Sequence, residues 1–292
     1  MKTILPAVAL GTAALLLSCE PQPIPITLAA PPVKLVVASQ LIPDRIVLVS
    51  LTRTFGTLEG AAQRDSLTDA FLEKILVDSA LVTVRHQDQV DTLQMLSPGI
   101  FAGANLRQSE NGSYTLDARD FRTGETITAT SVLPPPVRFD RVEPDIVYAD
   151  GQVRVDVSYA FRDDPAVKNW YLVSYYKKVS LSRGQPDLSN YYGRGSNQLV
   201  EFDLVSDENL KDPDYAAVRK LEEVNVSDTI AVSVSNISQG YYAFLSLYKR
   251  AGNVITRISG EPVDYPTNVV NGYGYFNTHL PDIRFFDLNK YD

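Results

Sequence analysis

Residues 151–161 read GQVRVDVSYAF, and this stretch decides the fold class. Val153, Val155, Val157 and Tyr159 recur at every second position, which puts them on one face of a strand packed against a core. Downstream, Asp163-Asp164-Pro165 forms a turn signal before NWYLVSYYKKVSL (169–181), which reads as a strand. NQLVEFDLV (197–205) and DTIAVSVSNI (228–237) read as two more strands. DYAAVRKLEE (214–223) reads as a short helix. In SQGYYAFLSLYKR, Tyr241, Phe244, Leu245 and Tyr248 repeat at helical spacing, and Ala251-Gly252-Asn253 supplies a stop.

Upstream lies LPPPVRFDRVEP (133–144). Pro134, Pro135 and Pro136 lack the N–H that a ladder needs, so a domain break is expected there. Before it, KLVVASQL, RIVLVSLTRTF, SALVTVRHQ (79–87), GSYTLDARDF and ETITATSVL read as short strands, the last two parted by the turn at Thr123-Gly124. One helix is expected among them, started by Ser66 and Asp69 and carrying the stripe Leu67, Phe71, Leu72 and Ile75.

The N-terminus has a different character. Lys2 precedes an apolar or small run from Ile4 to Leu17, shorter than the roughly 20 residues of a spanning helix. It fits the apolar region of a secretory signal. That run ends Leu16-Leu17-Ser18-Cys19, a pattern resembling the bacterial lipobox, and Cys19 is the only cysteine in the chain. The thiol is the nucleophile that takes up a diacylglycerol group, and the small Ser18 gives the signal peptidase access. Each buried CH₂ contributes about 0.8 kcal/mol, and stable anchoring takes two chains or more. Pro21, Pro23, Pro25, Pro31 and Pro32 follow, and roughly 14 residues of extended polyproline chain reach on the order of 40 Å. The expected organisation is a signal over 1–18, a tether over 19–33, one domain over 34–136 and a second over 137–292.

A formal charge of −8 and a pI near 4.9, with no basic run longer than Lys177-Lys178, argue against nucleic acid as a partner. The chemical inventory is small. His86 sits inside a predicted strand and His279 near the C-terminus, and neither has partners at zinc-ligand or triad spacing. There is no G-x-S-x-G, P-loop or H-E-x-x-H motif, and Gly272-Tyr273-Gly274 lacks a third glycine, with Asn277 in its place. The carboxylate clusters Asp163-Asp164 and Asp203…Asp207-Glu208 match no EF-hand. No catalytic residue, cofactor or metal is expected from this set, although a carboxylate pair assembled in the fold remains an alternative.

Aromatic residues crowd the second half in adjacent pairs. Neighbours on a strand point to opposite faces, so each pair sends one ring inward and one outward. Trp170, Tyr171, Tyr175, Tyr176, Tyr191 and Tyr192 are therefore the candidate ligand or partner surface, weighed against the plain suitability of tyrosine for sheet surfaces.

Four stretches carry a family resemblance. They are DSALVTVRHQDQ with GSYTLDARDFRTGETITATSVLPPP, FRDDPAVKNWYLV, SNISQGYYAFLSLY, and EPVDYPTNVVNGYGYF. Together they resemble the Bacteroidetes lipoproteins that carry domain of unknown function 4249 (DUF4249). The second stretch places Asp164, Pro165 and Asn169, and the closing signature is carried by Pro262, Asn268, Asn271, Gly272, Gly274 and Phe276. The resemblance implies a mainly β fold, with an immunoglobulin-like β-sandwich followed by a β-rich domain with a few short helices. It supplies no catalytic residues. The family's frequent neighbourhood with TonB-dependent receptors implies a non-enzymatic transport accessory at the outer membrane. A polysaccharide hydrolase using carboxylates and a surface adhesin are the alternatives. The acidic run that often marks surface export is missing after Cys19, so the side of the membrane stays open.

Overall fold

The structure is a computed structural model and describes residues 32–42, 46–55, 69–149, 152–178, 197–210, 212–222, 224–251 and 265–291. Cys19, Tyr191, Tyr192 and Pro262, together with the expected signal, the tether up to residue 31 and the helix cap at Ser66, lie outside these residues. The mainly β class read from the sequence holds.

The first half contributes β1 (Leu35–Ile42), β2 (Ile46–Arg53), the helix α1 (Asp69–Ile75), β3 (Ala80–His86), β4 (Gln89–Thr92), β5 (Gln94–Ser97), β6 (Ile100–Gly103), β7 (Ser113–Asp120) and β8 (Thr126–Val132). The second contributes β9 (Phe139–Ala149), β10 (Gln152–Arg162), β11 (Trp170–Lys178), β12 (Asn197–Ser206), β13 (Asp214–Leu221), β14 (Thr229–Ile237), the helix α2 (Gln239–Ala251), β15 (Val269–Val270), β16 (Tyr273–Tyr275) and β17 (Asp282–Asp287).

Two sheets, ordered β16-β1-β2-β6-β5 and β15-β8-β7-β3-β4, share one core. Val37, Val49, Leu51 and Phe101 of the first meet Val82, Val84, Leu116 and Ile127 of the second. A second sandwich joins β13-β10-β9 to β12-β11-β14-β17. Its core is the alternating face of the opening stretch, with Val155, Val157, Tyr159 and Phe161 packed on Tyr171, Val173, Tyr175 and Val232. Helix α2 covers the outer face of the four-stranded sheet, where Ser174, Ser233 and Ser235 are buried and small enough to admit it.

Several segments differ from their sequence reading. Residues 214–221 form a strand rather than a helix, because Tyr215 and Ala217 alternate into the second core and the Tyr215 ring sits 5.1 Å from that of Phe161. Tertiary packing overrides the local helical pattern here. Residues 139–144, read as part of the break, open β9. Pro144 is tolerated because β9 is an edge strand, where one row of backbone groups needs no ladder partner. The short strands β4, β5 and β6, and the edge strand β17, were not read from the sequence.

The chain's last part also departs from the expected division at 136. Residues 269–276 return to the first sandwich, where β15 pairs antiparallel with β8 and β16 pairs parallel with β1. Val269 and Phe276 join the first core. The closing signature is the means of this return. Asn268 donates its side-chain amide to the carbonyls of Thr130 (2.9 Å) and Phe276 (2.7 Å), and its Oδ1 accepts from the Phe276 N–H at 2.9 Å. Asn271 takes φ +64° at the turn and Gly274 takes φ +87°. A Cβ on Gly274 would collide with the Val37 carbonyl oxygen of the neighbouring strand.

Gly274→Ala therefore combines positive-φ strain with a backbone clash. It is expected to destabilise the protein by about 2 kcal/mol or more, read as a lower denaturant midpoint with an unchanged slope. A midpoint within error of the parent would show that β16 does not seal the sandwich.

Candidate binding cleft

The turn after β10 is built around Asn169. Asp164 Oδ1 accepts from the Ala166 N–H at 3.0 Å, which closes an Asx turn, and Pro165 fixes the backbone direction inside it. The Asn169 side-chain amide then donates to the carbonyl of Val167 (3.0 Å) and, at 3.4 Å, to that of Asp164 and to Asp163 Oδ1. Its own Oδ1 accepts from Asn236 Nδ2 of β14 at 3.0 Å, and its backbone N–H donates to Asp207 Oδ2 at 2.8 Å. The Tyr171 hydroxyl donates to Asp163 Oδ1. Burial, reinforced by Asp163, raises the Tyr171 phenol well above its ordinary range, so the hydroxyl keeps its proton. One buried polar network thus ties the turn to two strands of the second sandwich.

This network forms the floor of a cleft of about 320 Å³, at the small end of the ligand-site range. Pro135, Pro136 and Val137 form one wall and Val167 another, with Arg138, Arg162 and Asp164 at the polar positions and Asn169, Tyr171 and Asn236 beneath. The connector sets the first wall rigidly. Leu133 is fully buried in the first core and Val137 is buried in the second, with only three prolines between them. Arg162 gives its Nε–H to Asp214 Oδ1 at 2.7 Å, and that bond raises its pKa. The Arg138 guanidinium has no partner among the described residues.

The aromatic candidates divide between two faces. Tyr171 and Tyr175 are interior, 2% and 0% exposed, so they are removed from the expected partner surface. Their parity in β11 points them into the core, where Tyr175 donates to Asp203 Oδ2 at 3.1 Å. Trp170 and Tyr176 occupy the opposite face and are half-buried. Lys168 Nζ lies 5.7 Å from the Trp170 ring centroid, a cation–π distance. Asp164 and Asn169 line the cleft and Pro165 lies in the turn between them, whereas Asn268, Asn271, Gly272, Gly274 and Phe276 serve the closing segment. Arg138 and Asn236, the polar residues that complete the cleft, were missed. No motif links positions 98 residues apart, and only the pairing of β11 with β14 brings Asn236 opposite Tyr171.

Both histidines are interior, each 4% exposed. The His86 ring stacks on Tyr114 at 4.2 Å, and its Nδ1 is 2.9 Å from the Ser113 carbonyl. His279 Nδ1 pairs with the Asn277 side chain, and its ring stacks near Tyr241 of α2. Burial pushes the His279 imidazole down to about 4. The acidic clusters are engaged as well: Asp203 binds Arg219 at 3.0 Å and Glu208 binds Lys168 at 2.7 Å. Among the described residues no group of three His, Cys, Asp or Glu side chains is placed to hold a metal, and no helix is long and apolar enough to cross a membrane.

The chain belongs to the family of the domain of unknown function DUF4249, whose model matches residues 20–280. No curated protein matches it. Among solved structures, a crystal structure of domains A168–A170 from titin is similar at 11% identity and a TM-score of 0.21, covering 71% of this chain and 61% of that one. A reconstruction of native alpha-2-macroglobulin from E. coli is similar at 9% identity and a TM-score of 0.20, covering 71% of this chain and 13% of that one. The chain thus spans less than two thirds of either, and neither likeness bears on function.

A neutral buried His279 makes stability depend on pH. Its folded pKa of about 4 lies below the ordinary value of 6.5, so between those values the unfolded chain binds a proton that the folded chain does not. Stability therefore falls as pH falls through that window, by on the order of 3 kcal/mol at about 1.4 kcal/mol per pH unit. Denaturant midpoints at pH 7 and pH 4.5 should separate less in His279→Gln than in the parent. Equal separation would mean that His279 takes up its proton in the folded state.

Proposed function

We propose that this protein is a non-enzymatic binding protein, lipid-anchored through Cys19 at the outer membrane and serving as an accessory to a TonB-dependent transport system. The observation that carries the binding reading is the cleft over Asn169. It is concave, framed by fixed backbone, and among the described residues it presents an unengaged guanidinium beside buried amides, with no nucleophile and base paired in its lining. The alternative hydrolase needs two carboxylates facing each other across a cleft, about 5–10 Å apart. Among the described residues Asp164 alone contributes a carboxylate to this cleft, and two further cavities have one carboxylate each, Asp117 and Asp140.

The lipid anchor is supported by the lipobox-like Leu16-Leu17-Ser18-Cys19 and by the proline-rich residues that follow it. A two-chain or three-chain anchor holds a folded body at the membrane without any spanning segment. The partnership with a receptor is supported by the family resemblance. The adhesin reading shares the anchor but predicts no dependence on a receptor.

The test is a pull-down of tagged protein from detergent-solubilised outer membrane, with co-purifying proteins identified by mass spectrometry. A TonB-dependent barrel in stoichiometric amount is the expected result. Cys19→Ala protein should leave the membrane fraction while remaining folded by circular dichroism. Folded, lipidated protein that captures no barrel would reject the accessory reading, and Cys19→Ala protein retained in the membrane would reject the anchor.

A further inference from the structure

We propose that the cleft over Asn169 takes a small monocarboxylate with an apolar body, the carboxylate meeting Arg138 and the amide of Asn236. This rests on the reading of the cleft as a binding site and names the ligand class it selects. Arg138 is held for the task by its neighbours. Val137 and Phe139 on either side of it are buried in the second core, and the Phe139 N–H donates to Asp282 Oδ2 at 2.9 Å. The backbone carrying Arg138 is therefore fixed, while its guanidinium is exposed and without a partner among the described residues. Asn236 is 7% exposed and gives one amide hydrogen to Asn169 Oδ1, which leaves its second amide hydrogen for the cleft. Arg162 keeps both terminal amino groups, since only its Nε–H engages Asp214. A planar fork of N–H donors matches the two oxygens of a carboxylate.

Other chemistries fit this lining less well. A phosphate dianion needs more positive charge or a nest of backbone N–H groups, and Pro135 and Pro136 offer no N–H at all. In a chain of net charge −8, one unpaired guanidinium beside Asp164 balances a single negative charge better than two. A cation would find one carboxylate, and one of its oxygens is already bound to the Ala166 N–H. A sugar seeking a ring to stack on would find Tyr171 only 2% exposed. The proline rings, Val137 and Val167 are left to cover a hydrocarbon portion, whose burial contributes about 25 cal/mol per Å².

The experiment titrates hexanoate into isotopically labelled Cys19→Ala protein and follows the side-chain amide resonances of Asn169 and Asn236. Hexanamide, hexyl phosphate and Arg138→Gln protein provide the comparisons. Hexanoate should shift both amides to saturation. Hexanamide should bind about tenfold more weakly or worse, as expected for losing a hydrogen bond to a charged group. Arg138→Gln should weaken hexanoate by a similar factor and leave hexanamide unchanged, whereas Arg141→Gln, at a different cavity, should change neither. Equal binding of acid and amide at these resonances would overturn the carboxylate assignment while leaving the cleft a binding site. Tighter binding of hexyl phosphate, or an unaltered hexanoate affinity in Arg138→Gln, would also overturn it. The absence of any shift with all three probes would overturn it together with the cleft, a failure independent of whether a receptor is captured.

Discussion

The rest of the structure depends on the return of residues 265–279 to the first sandwich. Two short strands close both of its sheets at one side, β15 on β8 and β16 on β1. A two-residue and a three-residue strand cannot hold themselves in place, because each contributes few ladder bonds. The side chain of Asn268 supplies what they lack, bridging Thr130 of one sheet to the backbone of Phe276, which anchors the far end in the core. The same segment fixes α2. A Cβ on Gly240 would strike the Tyr275 hydroxyl, and the Tyr241 ring lies 5.3 Å from that of Tyr275. The helix that covers the second sandwich is thereby packed on a strand of the first.

This return has a consequence for the cleft. Three prolines between two buried anchors, Leu133 and Val137, make a stiff connector, and the closing segment is a second tie between the same two sandwiches. A wall built from Pro135 and Pro136 can then keep its position over Asn169 and Asn236 without contributing hydrogen bonds of its own. Preorganisation of this kind lowers the ordering cost of binding, which otherwise consumes much of the contact energy. The floor is equally constrained. Asn169 itself is held by partners at its backbone N–H, its amide nitrogen and its Oδ1, so loss of one of them would leave a buried group unpaired at a cost of about 1–3 kcal/mol.

How much of this was legible in the sequence follows from the range of each signal. Residues 151–161 announced a strand because alternation is local, and Val155, Val157, Tyr159 and Phe161 did become core. Residues 214–221 misled because Tyr215, Ala217 and Val218 also suit a helix, and only the partner strand β10 decides between the two. The four-residue strands β4, β5 and β6 are too short for any period to show. The turn at Asp163-Asp164-Pro165 was legible for the same local reason as the alternation, since Asx chemistry acts over two residues, whereas Asn169 entered only through the family resemblance. Arg138 and Asn236 were not, since nothing in either neighbourhood marks it as facing a shared cleft.

The aromatic pairs show the limit of reasoning from parity alone. Alternation correctly separates Tyr171 and Tyr175 from Trp170 and Tyr176, but it cannot say that the second face is also covered. In the structure α2 lies over that face, and Tyr176 is close enough to Tyr241 to help raise that phenol's pKa, after burial as the main cause. Outward on a sheet is therefore not the same as open to a partner. The proposed binding site lies away from the sheet faces, where the sequence placed it, at the cleft lined by the connector and the Asn169 turn. There Arg138, without a partner among the described residues, stands in the same lining as the amides of Asn169 and Asn236, in a chain whose net charge is negative. Selectivity from such a lining needs few residues, which is why a family signature devoted to closing the fold and shaping one turn can leave the ligand unspecified.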